Sequence, residues 1–256
     1  MNASVKVLEE VQSEAQRKEA QKYKVVYPRD SKETAAFYEP KMYAENVAAR
    51  IRTGKGYETG KRLMDIVLSA AALVSLSPVY LILSAIVYVN DPGPVFYGHE
   101  RLGKNGKKIK VWKFRSMYVN ADEIFDKLSR ERKEEFYKEF KISDDPRITK
   151  IGDFLRRTSL DELPQFLNVL KGDISLVGPR PIVEKELEKY ADRKEKFLSV
   201  KPGLTGYWQT HGRSNYSYSN GRQEMELYYI DHRSMWMDVK ILFRTVKVVF
   251  CREGAE

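Results

Sequence analysis

The chain has 256 residues, with 45 Lys and Arg against 36 Asp and Glu, a formal net charge of +9. That length suits one catalytic or binding domain with an arm, and the charge calls for an anionic partner: nucleic acid, acidic lipid or a phosphorylated substrate. One cysteine, Cys251, excludes an intrachain disulfide framework, and three scattered histidines, His99, His211 and His232, have no zinc-ligand spacing.

Residues 1–58 are rich in Lys, Glu, Gln and Ala and lack the apolar run of a secretory signal; they read as a charged, partly helical arm. From Leu63 to Val89 the chain turns apolar apart from Asp65, serines and two tyrosines. A straight helix of that length would reach roughly 40 Å, enough to cross a bilayer core of about 30 Å. Three features argue against crossing. Pro78 removes a hydrogen bond at the centre, and Ser77 can satisfy a freed backbone group. Lys and Arg flank both sides equally, so neither side favours translocation. Asp65 lies within helical reach of Lys61 and Arg62 and could pair with them at the interface. A helix broken at Ser77-Pro78 that enters and leaves by one face satisfies all three; a kinked spanning helix is the alternative.

Asp91-Pro92-Gly93-Pro94 stops the helix, and Asn105-Gly106 signals a type I′ turn within a β-hairpin from about Val95 to Phe114. Helical periodicity follows from Asn120 to Phe140. Asp144-Asp145-Pro146-Arg147 reads as turn chemistry rather than a metal site.

The densest run of chemistry is Asp153 to Pro181. Pro164 fits only a first helical turn, which predicts a helix starting near Asp161 with Asp161 and Glu162 at its N-terminus, where free N–H groups favour anions. Arg156 and Arg157 lie upstream. Downstream, Pro179 and Pro181 fix the backbone on both sides of Arg180. On the tetrapeptide alone, Ser159-x-x-Glu162 is equally a capping box. Glu184 to Phe197 reads as one charged helix and 201–208 as a rigid loop. From Met235 to Phe250, Trp236, Val239, Leu242, Val246 and Val249 lie near one face, so this helix is either interfacial or ordinary core.

SLDELPQ at 159–165, GDISLVGPRP at 172–181 and KPGLTGYWQ at 201–209 resemble the bacterial sugar transferases known as monotopic phosphoglycosyl transferases, over about Lys61 to the C-terminus. Beyond the charged arm (1–58), which is not part of the family's core pattern, the resemblance implies an α+β, mostly helical fold: a re-entrant membrane helix (59–91) with its break at Ser77 and Pro78, and a cytoplasmic phosphoglycosyl transferase domain (92–256) containing the β-hairpin. It implies transfer of a hexose-1-phosphate from a UDP-sugar, galactose or glucose, to undecaprenyl phosphate on the cytoplasmic face of a bacterial inner membrane, starting exopolysaccharide, capsule or O-antigen assembly. Asp161 would be the nucleophile, Glu162 the Mg²⁺ ligand, and Arg156 and Arg180 the phosphate contacts. Lys113-Phe114-Arg115 matches a family motif, which makes Arg115 a candidate substrate contact, a structural ion pair being its alternative; Arg213 falls near the side that selects the sugar nucleotide. Two readings compete: a glycosyltransferase releasing UDP, and a non-catalytic basic scaffold on a membrane. A nucleic-acid partner ranks last, because the aromatics follow apolar periodicity. Homo-oligomerisation stays open.

Overall fold

A computed structural model describes residues 54–139, 142–212 and 221–251. Most of the predicted arm, Arg213 and most of the polar stretch after it lie outside them.

The chain enters through helix α1 (Lys55–Ser75) and, after one residue, helix α2 (Ser77–Asn90). The two are bent by 62° at Leu76. Pro78 occupies the first turn of α2, where its missing N–H costs nothing, and the Ser77 hydroxyl donates to the Val74 carbonyl at 2.8 Å. The predicted break therefore exists, one residue before the predicted pair. Among the described residues no single helix is long and apolar enough to cross a membrane; the bent pair together is.

Burial on this pair is inverted relative to a soluble core. Val74, Leu81 and Val89 are 76%, 74% and 79% exposed, whereas Asp65 and Ser69 of α1 are buried. An apolar outside with polar side chains turned inward reverses the usual arrangement in water.

The inward polar groups hold α1 to the rest of the molecule. Lys61 pairs with Asp238 at 2.7 Å, and Tyr57 and Tyr229 donate to the same carboxylate. Arg62 donates to the Val169 and Leu170 carbonyls at 2.7 and 2.8 Å. Asp65 accepts from the Ser175 hydroxyl and the Leu176 amide. The expected pairing of Asp65 with Lys61 or Arg62 is not what forms: each of the three is held by an acceptor or donor remote in sequence.

The hairpin follows as β1 (Phe96–Leu102) and β2 (Lys108–Phe114), antiparallel, with Phe96 opposite Phe114 and Leu102 opposite Lys108. Asn105 and Gly106 both have positive φ, 58° and 75°, as the predicted turn requires, but they sit in a longer loop closed by Gly103 N–H to Lys107 carbonyl at 2.7 Å. The next predicted helix is two, α3 (Ala121–Asp126) and α4 (Arg130–Glu139). Asp145 is spent on Arg147 at 2.6 Å, in the turn expected there.

Helix α5 (Lys150–Arg157) leads through a 3-10 turn at Leu160–Glu162 into α6 (Gln165–Lys171) and strand β3 (Ser175–Val177). The single helix expected from Glu184 to Phe197 is instead α7 (Glu184–Leu187), a 3-10 segment (Glu188–Arg193) and α8 (Lys194–Leu198). Ala191 at φ 48°, ψ −120° breaks it, and Tyr190 next to it is fully buried on Phe197. Strand β4 (Gly203–Thr205) pairs in parallel with β3, and α9 (Tyr207–His211), α10 (Arg222–His232) and α11 (Met235–Cys251) complete the order. The described residues are mostly helical, as expected, with two small sheets; the hairpin was expected, whereas the parallel β3–β4 pair was not, since 201–208, read as a rigid loop, contains β4 and the start of α9.

The main core gathers Val111, Val169, Ile174, Tyr190, Leu227 and Ile241. A second cluster joins Leu83 and Val87 of α2 to Phe114 and Leu155. Helix α11 is core on one side and exposed on the other. Asp238 and Ile241 are buried, while Trp236 and Phe243 are 67% and 75% exposed, with Lys240 lying over the Trp236 ring.

Candidate active site

The site is assembled on three chain segments that meet beside α2. The first is α5. Thr149 caps it by accepting from the Gly152 amide at 2.8 Å, which aims its last turn inward. Arg156 on that turn is half-buried and donates through Nε to the Ser116 hydroxyl at 2.9 Å. Arg157, its neighbour, is more than half exposed and pairs with Asp153 at 2.7 Å, one helical turn back. Arg157 is a solvated surface charge.

After α5, Ser159 adopts left-handed backbone at φ 57°, ψ 16° and reverses the chain. Its side chain makes no capping hydrogen bond, so the capping box is not formed. The helix predicted to begin near Asp161 begins at Gln165. Pro164 serves as its N-cap, and the carboxylate pair lies in the 3-10 turn before it. The physical reason is that Leu160 and Leu163 both pack into the second apolar cluster, and a tighter turn is what puts residues three apart on one side. Asp161 is then 5% exposed.

The second segment is β2. Lys113 approaches Asp161 Oδ2 at 3.3 Å and Glu162 Oε1 at 2.7 Å, one ammonium for two carboxylates. Sequence reasoning quoted this lysine within its motif but chose Arg115. Arg115 instead pairs with Asp91 at 3.0 Å and also donates to the Asp91 backbone carbonyl, closing the turn after α2. The signal that would have found Lys113 is strand parity: Ile109, Val111 and Lys113 share one face, and the first two are buried. Asn168 of α6 fixes that face against the carboxylates. Its side chain accepts from the Trp112 amide at 2.9 Å and donates to the Lys110 carbonyl at 2.7 Å, pairing with β2 as a strand would.

Arg115→Ala is expected to cost about 2 kcal/mol of stability, because it leaves the Asp91 carboxylate half-buried without its cation. The check is a lowered unfolding midpoint. A loss of turnover with an unshifted midpoint would restore Arg115 as a substrate contact.

The third segment is the turn Gly178-Pro179-Arg180-Pro181. The Gly178 amide donates to the Thr205 carbonyl at 2.9 Å, and the Gly203 amide to the Pro179 carbonyl at 2.8 Å. A side chain at Gly203 would stand 2.1 Å from the Gly178 amide nitrogen, so glycine is required where β4 runs against the end of β3. The Arg180 amide donates to the buried Glu226. Held in this way, the Arg180 guanidinium reaches 3.7 Å from Glu162 Oε1, an ion-pair distance longer than a hydrogen bond.

Three cations, Lys113, Arg156 and Arg180, thus surround two carboxylates. Burial pushes Asp161 above the usual carboxylate range, and the Glu162 charge adds to the rise; Lys113 and Arg156 oppose it. His99, across from Val111 on β1, is held down to about 4 by burial and by Arg101, Lys113 and Arg180, and is neutral near pH 7. Among the described residues no cluster of three or more His, Cys, Asp or Glu side chains is placed to hold a metal. The donor set is two carboxylates. That fits Mg²⁺, which takes one or two carboxylates and completes its shell with phosphate oxygens and water, and does not fit a protein-only metal cage.

A buried carboxylate with one oxygen near cations can attack an electrophile whose charge the cations neutralise, and phosphorus in a diphosphate is such an electrophile. Comparison with known proteins identifies the family. Residues 56–252 match the family model described as bacterial sugar transferase. The chain belongs to the bacterial sugar transferase family.

Three relatives define the neighbourhood. The chain is 48% identical over 198 residues to the undecaprenyl-phosphate galactose phosphotransferase of Salmonella typhimurium, covering 76% of this chain and 41% of that protein. It is 43% identical over 202 residues to the UDP-glucose:undecaprenyl-phosphate glucose-1-phosphate transferase of Escherichia coli, again covering 76% and 41%. It is 42% identical over 198 residues to the exopolysaccharide production protein ExoY of Sinorhizobium fredii, covering 76% of this chain and 87% of that protein. The match thus spans about two fifths of the first two relatives.

Proposed function

We propose that this protein moves a hexose-1-phosphate from a UDP-sugar to undecaprenyl phosphate at a membrane surface. The observation that carries the reading is the carboxylate pair ringed by Lys113, Arg156 and Arg180 beside a bent apolar helix pair. A water-soluble nucleotide sugar and a lipid phosphate can meet only at an interface. A re-entrant α1–α2 pair, entering and leaving by one face, sets such a site at headgroup depth.

In the first step an Asp161 oxygen attacks the β-phosphorus. The bond from that phosphorus to the bridging oxygen breaks, UMP departs with the electron pair, and the phosphosugar stays on the carboxylate. In the second, an oxygen of undecaprenyl phosphate attacks the same phosphorus and the aspartyl–phosphorus bond breaks, regenerating Asp161. Splitting one displacement into two lets a single site serve both substrates in turn. Arg156 and Arg180 hold phosphate oxygens, and Lys113 keeps the buried Asp161 ionised. Glu162 would hold Mg²⁺, which supplies neutralisation of diphosphate charge. The names of the relatives cover both galactose and glucose, and the same chemistry serves either. Nucleotide sugars are cytoplasmic metabolites, so the working face is the cytoplasmic side of the inner membrane.

The test is nucleotide release by purified protein with Mg²⁺, undecaprenyl phosphate and UDP-galactose or UDP-glucose. UMP is the expected product. UDP would instead identify a glycosyltransferase, and release of neither from folded protein would reject both.

A further inference from the structure

One arm of the bent helix pair, α2, touches the turn that bears the carboxylates, and the other, α1, holds the helix that follows it. From α1, Arg62 takes the Val169 and Leu170 carbonyls at the C-terminal end of α6. From α2, the Tyr80 hydroxyl donates to the Leu163 carbonyl at 2.5 Å, immediately after Glu162. That carbonyl already accepts the Phe166 amide at 3.1 Å, so Tyr80 occupies its second lone pair.

The apolar contacts converge on the same place. Leu160 and Leu163, which bracket Asp161 and Glu162, pack with Val79, Tyr80, Leu83 and Val87 of α2. The Tyr80 ring also lies 5.8 Å from the Phe114 ring, next to Lys113 in β2. Tyr80 therefore sits between the turn that carries the two carboxylates and the strand that carries their lysine. It follows the bend at Leu76 by four residues, one helical turn. Its position along and around α2 is set by that bend.

We propose that Tyr80 is a positioning residue for the carboxylate pair, so that the bend in the membrane helix fixes the active-site geometry as well as the path of the chain. The proposal rests on the functional reading above. A displacement of about 1 Å at a reacting group costs on the order of a hundredfold in rate, and losing one of several contacts costs less.

Tyr80→Phe removes the hydroxyl and leaves the ring on Phe114. In protein held in lipid nanodiscs, the amides of Glu162, Leu163, Phe166 and Leu167 are expected to exchange with deuterium about tenfold faster, and those of β3 at the wild-type rate. The kcat for UMP release is expected to fall about tenfold, with KM for the UDP-sugar within twofold. Tyr88→Phe, on the exposed side of the same helix, serves as the control and changes neither. Unchanged exchange at 162–167 overturns the proposal. Faster exchange there with unchanged kcat also overturns it, because the hydroxyl would then be packing alone. If folded wild-type protein releases no nucleotide, the functional reading fails, and the exchange comparison alone decides whether Tyr80 holds the pair.

Discussion

Asp161→Asn is expected to lower turnover by at least about 10⁴-fold while leaving the protein folded. The amide keeps the shape of the carboxylate but cannot form the covalent bond to phosphorus. Asp161 also has a stability consequence of unusual sign. Its folded pKa is raised by burial, so between its unfolded and folded values the native state binds more protons than the unfolded chain. The ionised group therefore contributes a stability penalty that is fully present above the folded pKa and is relieved as the pH falls through it. Asn carries no charge to desolvate. The unfolding midpoint of the variant at pH 7–8 is expected to equal or exceed that of wild type, measured by thermal unfolding in detergent. Normal turnover in the variant would exclude Asp161 as nucleophile; lost turnover with a collapsed midpoint would mean that the residue is structural.

Lys113→Met is expected to cost about 10²–10³-fold in kcat, the range for removing one preorganised electrostatic contact at a reacting centre. Methionine keeps the length of the stem and removes the ammonium that both carboxylates share. Lys113 lowers the Asp161 pKa, so its loss sends that pKa further up. Turnover needs Asp161 ionised. The acid limb of kcat/KM should already lie above the ordinary carboxylate range in wild type and should move to still higher pH in the variant. Raising the pH would then recover part of the lost activity. A limb unmoved by the substitution would remove Lys113 from the site.

These two predictions differ in how they became visible. Asp161, Glu162 and Arg180 stand out along the chain because their neighbours are restrictive: Pro164 limits the backbone after the carboxylates, and Pro179 and Pro181 flank the arginine. The helix break was visible for the same reason, since a proline with a serine beside it declares itself without knowledge of what surrounds it. Lys113 does not stand out. Lysine is common on the rest of the hairpin; strand parity separates Lys113 from Lys108 and Lys110, but only the fold shows that its face meets Asp161.

The start of α6 was misplaced for a related reason. A proline at a helix start is compatible with several positions, and packing of Leu160 and Leu163 on α2, remote in sequence (Tyr80 and Leu163 are 83 residues apart) but adjacent in space, chose the tighter turn. Likewise, Lys61, Arg62 and Asp65 looked like a local ion cluster because they are neighbours on one helix. Their partners, Asp238, the end of α6 and β3, offered buried acceptors and donors that a local pair would have left unsatisfied.

By itself, then, the amino-acid order determined the candidate carboxylates and Arg180, the interrupted apolar segment, the hairpin and the basic character, because these follow from side-chain chemistry and from backbone limits imposed by proline and glycine. The tertiary structure alone decided which cation meets the two carboxylates, that Arg115 closes a turn, and that the bent helix pair holds the Leu163 carbonyl through Tyr80 and the end of α6 through Arg62. Those outcomes depend on which buried polar groups find partners across the fold, and such partners are chosen by packing in three dimensions rather than by spacing along the chain.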